Sequence, residues 1–413
     1  MSEHSTASKT PIPEHVPPGL VYDFDMFHDA EYVLDPHKKV EKLIKEAPPI
    51  FWSPYNGGHW ILAGHKANFE AARDTESFSS EIIPNEQLLE IIASLPPDME
   101  RIPLSYPINL DPPKHAKYRQ PLQKVFSPKS IQDLSTSIRE LAGELIDKVA
   151  AKGGCEFMSS IAEPLPVQVF LRMLGLPLDK QDEYRKLVRD HLSHTDEMSQ
   201  LLTMQNVAAA MRETILARKA RPKDDIISLL WSVEIDGRPT TLDDIENYGV
   251  LLFVAGLDTV MQGMGHGMRH LAENPELQHR LRENPALIHE ATEEMLRRYT
   301  FTVPPRRVAR DVIFHGVNMK AGDKAMLFLP AANLDPEEFK DADKYQLDRD
   351  KKVHIAFNAG PHRCLGSHLA RVELEILYEE WFKRIGDFWL NPDKPTIYHC
   401  GHVIGVDSLN LCW

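Results

Sequence analysis

The chain has 413 residues, of which 47 are Lys or Arg and 61 are Asp or Glu, giving a formal net charge of -14. Such an acidic chain is poorly suited to bind nucleic acid or anionic membranes, and it is long enough to bury a large core in one or two domains. Its four widely spaced Cys residues form no C-x-x-C pair, which favours a reducing, cytoplasmic location over a disulfide framework.

Residues 1–18 are polar and rich in Pro, without the apolar core of a signal peptide, and they predict a flexible tail. No later run approaches the ~20 apolar residues that a membrane-spanning helix needs, so we expect no membrane anchor. Residues 19–413 show no internal repeat and no low-complexity tract, and we expect them to form a single domain.

The pattern along this domain predicts helices with a small proportion of strands. A short strand is predicted near Gly58–Ala63, and residues 82–109, which Pro residues interrupt, predict a loop of a length typical of functional lids. Helical patterns dominate from Pro112 to about Gln346, except that residues 306–329 alternate as short strands do. Residues 396–411 predict a hairpin. The expected fold class is therefore mainly α with a small β-rich subdomain.

A helix is predicted to begin near Asp111, which suits an N-cap, with Pro112 in its first turn. His115 and Arg119 are four residues apart on this helix and therefore share one face. On composition alone, a solvated basic surface is the ordinary interpretation of that face.

The longest predicted helix runs from Thr241 to about Glu273, which is roughly 50 Å at ~1.5 Å per residue. Thr241 and Asp244 have the spacing of a capping box. Near its apolar centre, Gly256 and Thr259 both weaken a helix, Gly by about 1 kcal/mol against Ala and Thr by bonding back to a carbonyl one turn earlier. Their position predicts a local opening of the helix. We expect three further glycines to permit close helix packing: Gly263, Gly265 and Gly267.

Cys364 lies in a Gly-punctuated loop, Phe357–Gly366, that leads into a helix predicted from Ser367 to about Ile385. A thiolate needs electropositive surroundings, and His362, Arg363 and the helix N-terminus would supply them. A lone Cys is more often a small buried hydrophobe. The aromatic residue, the glycines and the His in fixed register with this Cys favour a reactive or metal-binding thiolate instead.

The stretch Phe357–Gly366 resembles the haem-ligand signature of the cytochrome P-450 superfamily, and it departs from that signature only at Asn358, where the family usually has Gly. Ala255–Thr259 resembles the oxygen-binding groove of the same family. The order and spacing of these motifs most resemble the soluble bacterial camphor-hydroxylase branch.

The resemblance implies the triangular, helix-rich P-450 fold and a haem b (iron protoporphyrin IX) with Cys364 as the proximal iron ligand. Glu294 and Arg297 are three residues apart on a predicted helix, and they resemble the family's Glu-x-x-Arg core pair. The position of the usual third, cationic member is occupied here by Lys344, which cannot make the planar fork of Arg.

By the same resemblance, Thr259 would hydrogen-bond dioxygen at the haem and Asp258 would relay protons from solvent, because cleavage of the O–O bond needs two protons. Arg185, on another predicted helix, is the expected partner of Asp258. The two haem propionates are negatively charged and require several donors. The resemblance assigns this role to His115, Arg119, Arg306 and His362.

The resemblance also implies a mostly aliphatic distal pocket under the 82–109 lid, suited to a small apolar substrate such as a terpenoid or norisoprenoid. The residues assigned to this pocket are Leu251, Val254, Thr302, Val303, His402 and Val403. His402 replaces an aliphatic residue. It either bonds a substrate oxygen or, as an ordinary core His, bonds the backbone.

The chain contains no flavin or nicotinamide domain and no Cys cluster for iron–sulfur, so its electrons must come from another protein. The branch implies a two-iron ferredoxin with an NAD(P)H-dependent reductase, and an acidic ferredoxin needs a locally basic docking face. The cations expected on that face are Arg119, Lys351, Lys352, Arg363 and Arg371.

We therefore expect a monomeric monooxygenase. One alternative is a peroxide-driven haem-thiolate peroxygenase, although such enzymes generally lack an acid–alcohol pair like Asp258-Thr259. Another alternative is a non-catalytic haem sensor, which no DNA-binding or signalling module in the chain supports.

Overall fold

A computed structural model describes residues 9–94, 102–193, 197–350 and 353–413 of the chain. Helices dominate these residues, and small sheets lie beside them, as the sequence predicts. The helices are α1 (Ala30–Leu34), α2 (Pro36–Glu46), α3 (His65–Ala71), α4 (Asn85–Ala93), α5 (Lys114–Gln123), α6 (Pro128–Ala150), α7 (Pro164–Leu174), α8 (Gln181–Ser193), α9 (Glu197–Ala220), α10 (Ile226–Trp231), α11 (Leu242–Glu273), α12 (Pro275–Glu283), α13 (Ile288–Arg298), α14 (Leu329–Ala332) and α15 (Ser367–Arg384).

The strands are short, and most of them lie in the first fifth and the last third of the chain. They are β1 (Ile50–Ser53), β2 (His59–Leu62), β3 (Phe78–Ser79), β4 (Gly154–Glu156), β5 (Glu234–Ile235), β6 (Arg238–Pro239), β7 (Pro305–Val308), β8 (Val312–Phe314), β9 (Val317–Met319), β10 (Lys324–Leu327), β11 (Trp389–Leu390), β12 (Ile397–His399), β13 (Gly405–Ser408) and β14 (Asn410–Cys412).

The largest sheet joins the two ends of the domain in the order β1-β2-β10-β7-β3. Strands β1 and β2 are buried along their whole length, and Trp52 packs edge-on against Trp60 across them, with ring centroids 5.2 Å apart. Strand β10 pairs in parallel with β2, with Ala325 opposite Trp60, and β7 pairs antiparallel with β10. The strands predicted at residues 58–63 and 306–329 are thus confirmed, and so is the C-terminal hairpin, formed by β12 and β13.

Helix α11 begins with the predicted capping box, in which Thr241 and Asp244 bond each other's backbone N–H groups. The helix is continuous from Leu242 to Glu273, so the predicted local opening is absent. The Thr259 hydroxyl donates to the Ala255 carbonyl at 2.9 Å, one turn earlier, without breaking the helix. In the described residues this is the one helix with the length and apolarity of a membrane span, but 61% of its most apolar window is buried, as in a core helix.

The glycines of α11 are packing positions, as predicted. A Cβ placed on Gly263 would lie 3.7 Å from Leu374 of α15, and one on Gly265 would lie 2.9 Å from the Met158 sulfur. A Cβ on Gly267 would overlap the Tyr378 hydroxyl. Because only hydrogen fits at two of these positions, neighbouring elements approach the backbone of α11 closely.

Two predictions near residue 100 are wrong. The segment expected to be a loop contains helix α4, and residues 95–101 of that segment lie outside the described part. Asp111 does not cap the helix with its side chain. Its carboxylate accepts hydrogen bonds from the Ser79 hydroxyl and from the Ser80 N–H at 2.9 Å, and so ties β3 to the start of α5.

A buried ion network joins α13 to the segment before the Cys364 loop. Glu294 and Arg297 are 1% and 0% exposed, and two nitrogens of Arg297 lie 2.8 Å from the Glu294 carboxylate. The third member is Arg349, whose Nε lies 3.0 Å from the same carboxylate. Lys344 was the wrong assignment, because its exposed ammonium pairs with Asp341 at 3.1 Å.

This network also positions the loop. Arg297 Nη1 donates to the carbonyls of Asn333 and Ala342, both at 2.8 Å. The Asn333 side chain in turn accepts from the Ile355 N–H at 2.9 Å and donates to Thr300. The backbone just before the Cys364 loop is therefore bonded, through the Asn333 side chain, to Thr300, two residues after the helix that carries the buried pair.

Replacing Arg349 by Met should lower the free energy of unfolding by about 3 kcal/mol or more, because it removes a buried partner of Glu294 and the donors to three carbonyls. Lys344→Met is the matched control and should change stability by less than ~0.5 kcal/mol. Urea denaturation of both variants measures the difference. Equal destabilisation would contradict the assignment of Arg349 as the third member.

Candidate functional site

The Cys364 loop is a tight turn closed by its own backbone. The Cys364 N–H donates to the Phe357 carbonyl, and the Asn358 N–H donates to the Ile355 carbonyl, both at 2.8 Å. Gly360 has φ +67°, and a Cβ there would overlap the carbonyl oxygen of Ala72. Only Gly can occupy that position, because a side chain would be both strained and obstructed.

Asn358, the one departure from the family signature, also adopts the left-handed conformation, with φ +61°. Asn tolerates this conformation better than other residues with a Cβ. Its side-chain oxygen accepts the Ala359 N–H at 2.8 Å. The turn therefore keeps the shape that Gly would give it.

The pKa of the Cys364 thiol is set by burial and by nearby donors and cations. The residue keeps accessible surface, yet burial is the main cause of a raised thiol pKa. The Gly366 backbone, Arg119, Arg371 and Arg363 act in the opposite direction and lower that pKa. The predicted electropositive groups are thus present, but burial outweighs them. A metal ion bound to the sulfur would favour the thiolate.

Four side chains predicted to act together, two arginines and two histidines, do lie together. The rings of His115 and His362 are 4.1 Å apart between centroids. Burial lowers the pKa of His362 to about 2, with further lowering by Arg306, His115 and Arg119. Burial likewise lowers the pKa of His115 to about 4 and that of Arg306 to about 10. Both rings are therefore neutral, and the positive charge of this partly buried site comes from Arg119 and Arg306.

This cluster has unused donors. Within the described part of the chain, Arg306 Nη2 and His362 Nε2 are buried and have no hydrogen-bond partner. Unpaired buried donors and cations are costly, so such a site suits an anion. Arg119 is also one of the groups that oppose the raised pKa of the Cys364 thiol, which places the cluster in electrostatic range of Cys364. A planar cofactor carrying two carboxylates and an iron for the thiol fits this donor set.

Asp258 on α11 is 3% exposed, and burial raises the pKa of its carboxyl. Its Oδ1 accepts from Gln262 Nε2 at 2.9 Å. The predicted partnership with Arg185 is wrong, because Arg185 pairs with Glu163 at 2.6 Å and with Asp182 at 3.4 Å. Gln262, four residues after Asp258 on the same face, was detectable from helical spacing but was missed.

Five of the six predicted pocket residues keep accessible surface: Leu251, Val254, Thr302, His402 and Val403. Val303 does not. It is 0% exposed and packs in a core cluster with Phe24 and Phe328, so its side chain does not line a pocket. The ring of His402 follows the backbone alternative, since its Nδ1 lies 3.2 Å from the Val303 carbonyl. Burial lowers the pKa of His402, which keeps the ring neutral.

The predicted docking cations have different environments. Arg371 is paired with Glu293 and lies over the Phe357 ring, 4.5 Å from its centroid. Arg119 donates to the Arg363 carbonyl at 2.6 Å, whereas the Arg363 side chain is exposed. The other two, Lys351 and Lys352, lie outside the described residues.

Comparisons with known proteins identify the family. The cytochrome P450 family model matches residues 184–384. The probable cytochrome P450 127A1 of Sinorhizobium fredii is 36% identical over 412 residues, which cover 98% of this chain and 97% of that protein. A steroid C26-monooxygenase of Mycobacterium tuberculosis is 33% identical over 94% of this chain and 96% of that protein. Linalool 8-monooxygenase of Pseudomonas putida is 28% identical over 91% of this chain and 95% of that protein.

Among solved structures, the crystal structure of CYP101J2 matches with a TM-score of 0.86 and 33% identity, covering 98% of this chain and 99% of that one. The chain belongs to the cytochrome P450 family, as its motifs predicted. It has the P450 fold, it binds haem b, and it is an oxidoreductase of the monooxygenase type.

If Arg306 holds a haem carboxylate, Arg306→Gln should speed haem release roughly tenfold or more, because a hydrogen bond to a charged group contributes about 1.5–3 kcal/mol. Arg307→Gln is the control, since Arg307 lies next to it on β7 but donates to the Glu81 carbonyl. Transfer of haem to apomyoglobin, followed by absorbance, measures both rates. Similar release from the two variants would count against the role of Arg306.

Proposed function

We propose that this protein inserts one oxygen atom from O2 into a small apolar terpenoid or norisoprenoid, with Cys364 as the axial ligand of the haem iron. The observation that carries the proposal is the Cys364 thiol in range of two arginines and two histidines, of which Arg306 and His362 each have a buried nitrogen without a hydrogen-bond partner among the described residues. Bound haem supplies the redox chemistry that activates dioxygen. The residues of the chain bind the haem, shape the pocket and supply protons.

His115, Arg119, Arg306 and His362 hold the two haem carboxylates in this proposal. Their pKa values support it, because burial lowers all four and a nearby anion would compensate for that cost. The cluster would then be neutralised by the cofactor rather than by the protein.

Thr259 and Asp258 deliver protons. The Thr259 hydroxyl donates to the Ala255 carbonyl, and rotation about its side-chain bond directs the same O–H into the pocket. Burial raises the pKa of the Asp258 carboxyl, so it holds a proton to a higher pH than an exposed Asp does. A carboxyl followed by a hydroxyl forms a short relay.

The substrate class follows from the pocket. Leu251, Val254 and Val403 are aliphatic, and neutral His402 is bonded to the backbone, so few groups could bind a polar substrate. Similarity to a linalool 8-monooxygenase supports a terpenoid. The camphor-hydroxylase branch places a ketone-binding Tyr where this chain has Pro103, which argues against camphor itself.

Electrons come from a two-iron ferredoxin and its NAD(P)H-dependent reductase in this proposal. We further propose that residues 19–413 act as a single-domain monomer in the cytoplasm. The overall charge of -14 would repel an acidic ferredoxin, so docking needs local cations near the Cys364 loop. Exposed Arg363, adjacent to Cys364, is the best candidate among the described residues.

A panel of terpenoids and norisoprenoids, screened by the haem spin-state shift and then turned over with ferredoxin, reductase, NADH and O2, tests the function. Hydroxylated product is expected from at least one of them. Thr259→Ala should keep NADH consumption within about twofold while hydroxylated product falls roughly tenfold or more and hydrogen peroxide rises. Thr259→Ser, which keeps the hydroxyl, should couple normally. Normal coupling in Thr259→Ala would refute the proposed proton delivery. Product formed with peroxide but not with NADH, ferredoxin and O2 would instead favour the peroxygenase alternative.

Arg363→Glu should slow reduction of the haem by ferredoxin on the order of tenfold at low salt, with the difference shrinking as salt increases. Arg221→Glu, on an exposed position at the end of α9, is the control for the change in net charge. Stopped-flow reduction under carbon monoxide measures the rates, and the substrate-induced spin shift checks that the pocket is intact. Equal slowing in both variants would exclude docking at Arg363.

A further inference from the structure

The C-terminal hairpin is fastened to α11 beside Asp258. Gln262 makes the connection, because its Nε2 donates to Asp258 at 2.9 Å while its Oε1 accepts the Val406 N–H at 2.6 Å. The two elements are in close contact, since a Cβ on Gly265 would lie 3.1 Å from Val406 Cβ. One amide side chain thus links the buried carboxyl to strand β13.

The same hairpin carries a partly exposed histidine–carboxylate pair. His399 on β12 and Asp407 on β13 approach to 2.6 Å between Nδ1 and Oδ1, and their side chains are 38% and 49% exposed. His399 stands opposite Gly405 in the strand register, and a Cβ on Gly405 would overlap the imidazole. Because Gly405 has no side chain, the His399 ring can lie across strand β13.

Electrostatic coupling joins this pair to the buried acid. Burial alone would lower the pKa of His399, but Asp407 and then Asp258 raise it above its usual value. Reciprocally, burial raises the pKa of Asp258 while His399 lowers it and Asp407 raises it. The nearby His266 of α11 is neutral, because burial lowers its pKa to about 4, and it is bonded to the Ile404 carbonyl.

We propose that His399 is the relay residue that returns protons from solvent to Asp258, with Asp407 orienting its ring and stabilising its charged form. For each proton that leaves the Asp258 carboxyl, the His399 imidazolium gives one proton to the carboxylate and takes another from water. Two facts support this path. Arg185 is held by Glu163. Gln262 bonds both Asp258 and the backbone of Val406, and the next residue of that strand, Asp407, holds the partly exposed His399 ring. The inference rests on the proposed role of Asp258.

Imidazole NMR titration of the ferrous carbon-monoxide enzyme tests the coupling without turnover. Asp407→Asn should lower the pKa of His399 most, and Asp258→Asn should lower it by a smaller amount, because each removes a negative charge. His315 is the control, since it pairs with Glu70 at 2.8 Å on the surface and should titrate unchanged in both variants. An unchanged His399 pKa in Asp258→Asn would overturn the proposal.

Turnover gives the second readout. His399→Phe should slow NADH consumption roughly tenfold with an increased solvent isotope effect. It should also abolish the fall in rate that the parent shows as pH rises through the His399 pKa. His315→Phe should change neither the rate of NADH consumption nor its pH dependence. Asp407→Asn leaves the imidazole in place and should slow NADH consumption by less than His399→Phe does. If Asp258→Asn itself turns over normally, the proposed role of Asp258 fails. If Asp258→Asn is slow but His399→Phe is normal, only the relay fails.

Discussion

The interaction on which the site depends is a single buried carboxylate held between two guanidinium groups. Glu294 accepts from Arg297 and Arg349, and these two arginines donate their remaining N–H groups to carbonyls in the segment from Asn333 to Lys344. That segment contains little regular structure, so its backbone groups need partners from side chains. Because both guanidiniums are themselves fixed by one carboxylate, the irregular segment acquires a defined shape just before the Cys364 loop.

A second consequence concerns charge. The chain is acidic overall, yet two arginines, Arg119 and Arg306, lie at the site beside the neutral rings of His115 and His362. Asp111 is the one carboxylate that acts on the pKa values of His115 and Arg306. In the proposed function, the two carboxylates and the iron of the cofactor would give partners to the arginines and to the Cys364 thiol at once. Haem binding and folding are therefore thermodynamically linked in this protein, because the native state alone offers this charge arrangement.

Features that depend on residues a few positions apart can be predicted from the sequence. Pairings between side chains that the tertiary structure brings together cannot. The capping box at Thr241, the Cys364 turn and the common face of His115 and Arg119 each depend on residues a few positions apart. By contrast, the choice between Lys344 and Arg349 depends on how an irregular segment folds over Glu294.

The wrong predictions about which side of an element a residue faces have the same origin. Val303 and Thr302 are neighbours, but in extended backbone one points into the core and the other keeps accessible surface, and sequence alone does not say which. The pairing of Arg185 with Glu163 is likewise a contact between two helices, α8 and the start of α7, whose packing no periodicity predicts. At Asn358 the local preference is sufficient. Asn tolerates the left-handed conformation, which explains how the turn accommodates a residue other than Gly.

The position of the acid–alcohol pair within α11 constrains how it can work. Most of this helix is buried, and side chains from several elements press against its glycines, so Asp258 has almost no contact with water. If Asp258 donates a proton into the pocket, as proposed, it cannot regain one from the same side without admitting solvent to the reaction. In that proposal the return path crosses an element packed against the helix. The burial that raises the pKa of Asp258 would then also make it dependent on a neighbour.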